Sequence, residues 1–136
     1  MRTRVMKAAC VAMALAAPLP AAACGICIED RVAAVYDQPT VDRAVVRHQA
    51  IAFFALNGSV EATLATRRAV IAALERGGIR GTVHVSLESA TASVAFDPKR
   101  ASIASIASTG DRALAAQSLT LEPLRVTGID GKLREP

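Results

Sequence analysis

The stretch Val83-His84-Val85-Ser86-Leu87-Glu88-Ser89-Ala90-Thr91-Ala92-Ser93-Val94-Ala95-Phe96-Asp97-Pro98 decides the fold of this chain. Over Thr82–Glu88, Val83, Val85 and Leu87 face one way while Thr82, His84 and Ser86 face the other. A period of two is the mark of a strand with one buried face. Ser89-Ala90-Thr91 makes a short turn, and Ala92, Val94 and Phe96 alternate again. The two runs therefore form a hairpin, which Asp97-Pro98 ends because proline has no N–H to give a sheet.

Working outward from the hairpin, Val45–Leu56 is apolar and β-prone around Ile51, Phe53 and Phe54, and is expected to be a strand. Asn57-Gly58-Ser59 is a turn, with Ser59 placed to cap a helix. Val60, Leu64, Ile71 and Leu74 supply that helix with an apolar stripe, and Gly77-Gly78 ends it. Beyond the hairpin, Ser102 caps a second helix carrying Ile103 and Ile106. Leu119–Val126 is the last strand, expected at a sheet edge because it contains Pro123. Gly128–Pro136 is polar and expected to be a loose tail. The order is β-α-β-β-α-β. The expectation is an α+β chain: a ferredoxin-like sandwich over residues 43–127, with four antiparallel strands and both helices on one face.

The N-terminus has a different character. Met1–Ala23 has a basic start (Arg2, Arg4, Lys7), an apolar run from Ala8 to Leu19, and an Ala21-Ala22-Ala23 end. That is the three-part pattern of an export signal, with an apolar run too short to span a bilayer. Cleavage after Ala23 would remove Cys10 and leave Cys24-Gly25-Ile26-Cys27 at the new amino end. Ile28, Val32 and Val35 then recur at i, i+4 and i+7, with Glu29 and Asp30 in the first turn where a helix favours acids. Asp37-Gln38-Pro39 is expected to stop this helix, and Pro39–Asp42 to link it to the main domain. Residues 24–42 are thus expected to be an N-terminal helical extension.

Removing the first 23 of 136 residues leaves 113, one domain's worth, enough to bury a core without disulfides. The formal charge of +4 falls to +1, because three of the 16 basic residues lie in the signal and all 12 acidic residues follow it. This balance gives no reason to expect a nucleic-acid partner. No second long apolar stretch exists, so no transmembrane segment is expected in the mature chain. Export points to the periplasm, where thiols tend to oxidise.

From Ile51 to about Val126 the chain resembles the heavy-metal-associated domains, the fold of small copper chaperones and of the N-terminal domains of copper-transporting ATPases. The resemblance rests on the strand–turn–strand Val83–Glu88 and Ala92–Phe96, ending in the step Phe96-Asp97-Pro98 before the second helix. It implies the ferredoxin-like fold and soft-metal binding. The family carries its metal on M-x-C-x-x-C between the first strand and first helix. Here that stretch is Ala55-Leu56-Asn57-Gly58-Ser59-Val60-Glu61-Ala62, with no cysteine, histidine or methionine. The replacement candidates are Cys24 and Cys27.

Two thiolates at this spacing suit one soft ion, and Cu(I) prefers two sulfurs to oxygen. A helix start favours thiolate, which serves both metal binding and redox chemistry. A free α-amino group on Cys24 would offer a third ligand, whereas the four ligands zinc normally wants are not in view. The same pair also suits a periplasmic thiol–disulfide protein, although the strand context of a thioredoxin fold is missing. A passive structural disulfide, or acylation of Cys24 as in a lipoprotein, are the remaining readings. His84 and His48 are expected on the sheet face away from the helices, as solvated strand residues rather than ligands. Tyr36 either packs the N-terminal helix or lies on the surface. Arg67-Arg68 reads as a solvated helix face. No serine–histidine–acid order, paired buried carboxylates or phosphate loop is present, so no enzyme is expected. The expected function is soft-metal binding or transfer, copper first, to a metal-transport or metal-acceptor protein. The alternatives are thiol–disulfide exchange, or an interaction domain docking through its open sheet face with a stapled N-terminus.

Overall fold

The computed structural model describes residues 27–136. The expected signal over Met1–Ala23 and the first cysteine of the pair, Cys24, lie outside the described residues. The elements in chain order are α1 (Ile28–Val35), α2 (Gln38–Val46), β1 (Ala50–Asn57), α3 (Leu64–Gly77), β2 (His84–Ser86), β3 (Thr91–Phe96), α4 (Ile103–Leu114), a short 3-10 turn (Ala115–Gln117), β4 (Thr120–Thr127) and β5 (Leu133–Arg134). The five strands form one sheet in the order β2-β3-β1-β4-β5, with every neighbouring pair antiparallel. The chain is therefore α+β, a five-stranded antiparallel sheet with four α-helices among the described residues, an arrangement compatible with the ferredoxin-like expectation.

The hairpin reads through into the structure: His84 pairs with Ser93, Val85 with Ala92 and Ser86 with Thr91. β2 is shorter than expected, because the backbone turns at Leu87–Ala90 with Ala90 at φ 47°. Central β1 is buried along Ala50–Leu56 because both of its faces are covered. Ala50, Ala52, Phe54 and Leu56 meet Val70, Leu74, Ile106 and Leu114 of α3 and α4 on one side. Ile51, Phe53 and Ala55 meet Val32 and Val35 of α1 and Val41 and Ala44 of α2 on the other. A strand covered on both faces reads as a continuous apolar run rather than an alternation. That explains the unbroken Ala-Ile-Ala-Phe-Phe-Ala-Leu of this strand.

Several boundaries differ from expectation. The linker expected at Pro39–Asp42 is the first half of helix α2. Asp37 is its N-cap, accepting from the Thr40 backbone N–H at 2.9 Å, and Pro39 sits in its first turn. Proline is favoured there because that N–H lacks a helical partner anyway. The same residues that stop α1 thus start α2. The strand expected from Val45 begins at Ala50, after a turn in which His48 takes φ 54°. Helix α3 is capped by Thr63, not Ser59, and Val60 lies outside it. Its buried stripe is Thr66, Val70, Ala73 and Leu74, while Leu64 is 70% exposed. Ser102 does cap α4, in a reciprocal capping box with Ser105.

The C-terminal tail is ordered rather than loose. Gly128 and Lys132 close a turn through Gly128 N–H to Lys132 C=O at 2.9 Å, and β5 pairs with Val126 and Thr127. β4 is consequently second from the sheet edge at that end, but β5 stops short of Pro123, whose outer side has no ladder partner. The proline is accommodated beside a β-bulge, where Phe53 faces Arg125 and Phe54 faces Pro123, leaving Leu124 extra.

One glycine requirement is acute. Gly58 ends β1 at φ 121°, and a Cβ there would lie 2.4 Å from the Ser118 carbonyl oxygen. Gly58→Ala is therefore expected to destabilise the fold by about 1–3 kcal/mol through backbone strain alone. Chemical denaturation checks this, and an unchanged midpoint would contradict the close approach of this turn to Ser118.

Candidate functional site

Cys27 is the one predicted site residue among those described. It is exposed and occupies the N-cap of α1, with φ −56° and ψ 152°. Its carbonyl accepts the first helical bond, from Arg31 N–H at 3.0 Å, but its side chain makes no capping bond to the helix. Among the described residues nothing engages the sulfur, and Cys27 is exposed.

The helix behind it is firmly seated. Val32 and Val35 are buried against β1 and β3. Ser93 Oγ on β3 donates to the Val35 carbonyl at 3.2 Å, holding the C-terminal end of α1. Tyr36 packs its ring on Phe53, stacked at 6.3 Å between centroids, and donates its hydroxyl to Gln38 at 3.0 Å. Of the two readings of Tyr36, packing the N-terminal helix onto the domain is the one seen. Near the N-terminal end, Arg125 Nη2 of β4 meets Glu29 Oε1 at 3.1 Å. Between α1 and the β4–β5 hairpin runs a groove of about 330 Å³ lined by Glu29, Val32, Ala33, Tyr36, Arg125 and Leu133.

The loop expected to hold metal in the resembled family joins β1 to α3 and remains without soft ligands. Among the described residues no three His, Cys, Asp or Glu side chains converge on a point that would hold an ion.

The histidines are placed differently from expectation. His48 is not on a strand; it is an exposed residue of the α2–β1 turn. His84 does lie on strand β2 and point to the face opposite Val83 and Val85, where its side chain is 39% exposed at the margin of the α1–α2 layer. His84 Nε2 lies 3.2 Å from Thr40 Oγ1 and 3.9 Å from Asp37 Oδ2. The Thr40 hydroxyl has a single hydrogen and gives it to Asp37, while Arg43 Nη2 donates to the same oxygen at 2.9 Å. With that hydrogen given to Asp37, the Thr40 oxygen is left to accept, from Arg43 and from an Nε2-protonated tautomer of His84. The cluster ties the start of α2 to edge strand β2. Sequence reasoning missed it because its members are 44 residues apart, although Asp37 three residues before Thr40 is a legible cap. The α1–α2 layer covers the part of this sheet face formed by Ile51, Phe53, Ala55 and Ala95, which was expected to be open.

Asp37 titrates below the usual carboxylate range, chiefly because the Thr40 hydroxyl donates to its charged form, helped by the Thr40 N–H and by His84 and Arg43 nearby. A carboxylate depressed in the folded state contributes stability above its unfolded value, here 3.8, and loses it as pH falls through the lower folded value. The stability gap between wild type and Asp37→Asn is thus expected to be constant near neutrality and to shrink below pH 3.8. Thermal unfolding across pH 2–7 checks it; a gap that widened in acid would contradict the assignment.

Arg67 is not merely solvated: its Nη1 donates to the Val85 carbonyl at 2.7 Å, occupying the outer edge of β2. This blunts an edge that would otherwise invite another strand. No family model, curated protein or solved structure matches this chain.

Proposed function

We propose that this chain is an exported soft-metal carrier that holds Cu(I) on Cys24 and Cys27 and passes it to a metal-transport or metal-acceptor protein. The observation that carries the reading is the placement of Cys27: an exposed sulfur, free of any capping bond, at the start of a helix whose inner face is buried on a rigid sheet. Exchange between carriers needs a sulfur that a partner can reach while the first protein stays folded. A two-coordinate Cu(I) accepts a thiolate from the partner, gives up one of the first pair, then accepts the partner's second thiolate as it leaves the other, with no change in oxidation state. The domain behind it is read as ferredoxin-like and related to heavy-metal-associated domains, with the metal moved from the β1–α3 loop to an N-terminal extension. The strand order, the Phe96-Asp97-Pro98 step and the two helices on the α3–α4 face support that reading. The chain acts by binding, not by catalysis.

Native intact mass of protein recovered anaerobically from the periplasm and membranes of copper-exposed cells tests this reading. A chain cleaved after Ala23 and carrying one copper is the expected species. A metal-free chain two hydrogens lighter would favour a disulfide, and hence the thiol–disulfide reading. An acylated Cys24 would dismantle the two-thiol site.

A further inference from the structure

Helix α1 has only eight residues and lacks a side-chain cap. Helices this short are marginal without tertiary support, and their first turn frays most readily. Yet that first turn carries the thiol. Its external support is unusual in origin. Leu124 and Arg125 are adjacent on β4, and in a regular strand they would point to opposite faces. The bulge opposite Phe53 and Phe54 breaks the alternation. Leu124 joins the cluster under α1 and α2, while Arg125 pairs across from Phe53 of that same cluster and reaches Glu29 on α1. Bulges commonly serve to re-aim a side chain in this way.

The Arg125 side chain is 21% exposed, with one arm on each of two carboxylates. Nη2 meets Glu29 Oε1, two residues beyond Cys27, and Nη1 meets Glu135 Oε2, just after β5, each at 3.1 Å. Nη1 also donates to the Leu124 carbonyl at 2.9 Å, which fixes the guanidinium against its own strand. A fork that serves two carboxylates with separate nitrogens is a task for arginine, not for the single ammonium of lysine. The ionic groups facing this guanidinium are thus Glu29 from α1 and Glu135 from the C-terminal segment.

Resting on the metal-carrier reading, we propose that Arg125 is the positioning residue of the thiol site: turned under α1 by the β4 bulge, it clamps the Cys27-bearing turn and the C-terminal segment to one point of the sheet. Its role is to keep that turn helical and its sulfur in a fixed place, without touching the metal. Glu29 and Glu135 are partly independent handles on the same clamp.

The test uses the reduced full chain without metal, followed by hydrogen exchange at the Arg31 and Val32 amides, the first in α1 with helical acceptors, and then with Cu(I). Exposed ion pairs of this kind shift local equilibria by about two- to five-fold. Glu29→Gln and Arg125→Gln are expected to speed exchange in this segment by about that factor, leaving exchange in β1 unchanged. Arg125→Lys is expected to recover only part of the protection. Cu(I) affinity, read by competition with a chromogenic chelator, should fall by a similar factor in Glu29→Gln, whereas Glu122→Gln on the same strand should leave it unchanged. Unchanged exchange at the Arg31 and Val32 amides in both Glu29→Gln and Arg125→Gln would overturn the clamp. Faster exchange with unchanged Cu(I) affinity would reduce Arg125 to a structural residue and overturn its positioning role. A wild-type chain that bound no Cu(I) would overturn the metal-carrier reading and the positioning role with it, while the exchange data would still report the clamp.

Discussion

Phe53→Ala is expected to destabilise the protein by about 3–5 kcal/mol, as much as Phe54→Ala next to it. The two neighbours point to opposite faces of β1, Phe54 into the α3–α4 core and Phe53 under α1 and α2. Were the N-terminal helices a loose extension, Phe53 would lie on a solvated sheet face and its truncation would cost far less. It is instead 1% exposed, surrounded by Val32, Val35, Val41 and Ala44, and stacked on Tyr36. The cavity left by alanine would have walls on the strand and on both helices, so it would be felt by the whole layer. Denaturant unfolding checks the prediction. A loss below about 1 kcal/mol for Phe53→Ala, beside a full loss for Phe54→Ala, would show that α1 and α2 do not stay seated on the sheet in solution.

The second large effect concerns the sulfurs. Replacing Cys24 and Cys27 together by serine is expected to abolish tight Cu(I) binding, because a hydroxyl is a hard, protonated donor and no other soft ligand set exists among the described residues. Stability should hardly change. Cys27 is exposed and contributes no capping bond, and serine is a good N-cap residue, so α1 loses nothing it uses at position 27. The pairing of a complete functional loss with an intact unfolding midpoint separates a binding residue from a structural one. A sizeable fall in stability on double replacement would instead point to a structural disulfide.

The sequence made the second half of the molecule legible for a clear reason. The Thr82–Pro98 hairpin alternates, the Ser102 cap precedes an apolar stripe, and Leu119–Val126 matches the strand that follows. Each of these signals is local. The N-terminal half was harder because its key residues carry two meanings. Asp37-Gln38-Pro39 terminates α1 and, through the Asp37 cap and a first-turn proline, also begins α2. Val41, Ala44 and Val45 are spaced as a helical face, but the β-branched Val45-Val46 pair drew the strand boundary too early. The expectation of both helices on one face left Ile51, Phe53 and Ala55 uncovered, although the unbroken apolar run of β1 fits a strand covered on both sides, as α1 and α2 cover it.

Of the candidate site, the sequence showed Cys24 and Cys27 and the helix that follows them. It did not show what holds that helix. Arg125 is 96 residues from Glu29, and its orientation depends on a bulge that no pattern in Leu119–Val126 announces beyond the presence of Pro123. His84 looked solvated because its face lacked a partner in a two-layer sandwich; a third layer supplies Asp37 and Thr40. Both misses arise from the same N-terminal layer, whose packing is a long-range property.

The most direct measurement is an anaerobic titration of the fully reduced protein with Cu(I) against a competing chelator, run in parallel on the Cys24→Ser, Cys27→Ser variant. The account predicts one tightly held ion per wild-type chain and none on the variant. Equal binding by both proteins, or no tight binding by either, would contradict it.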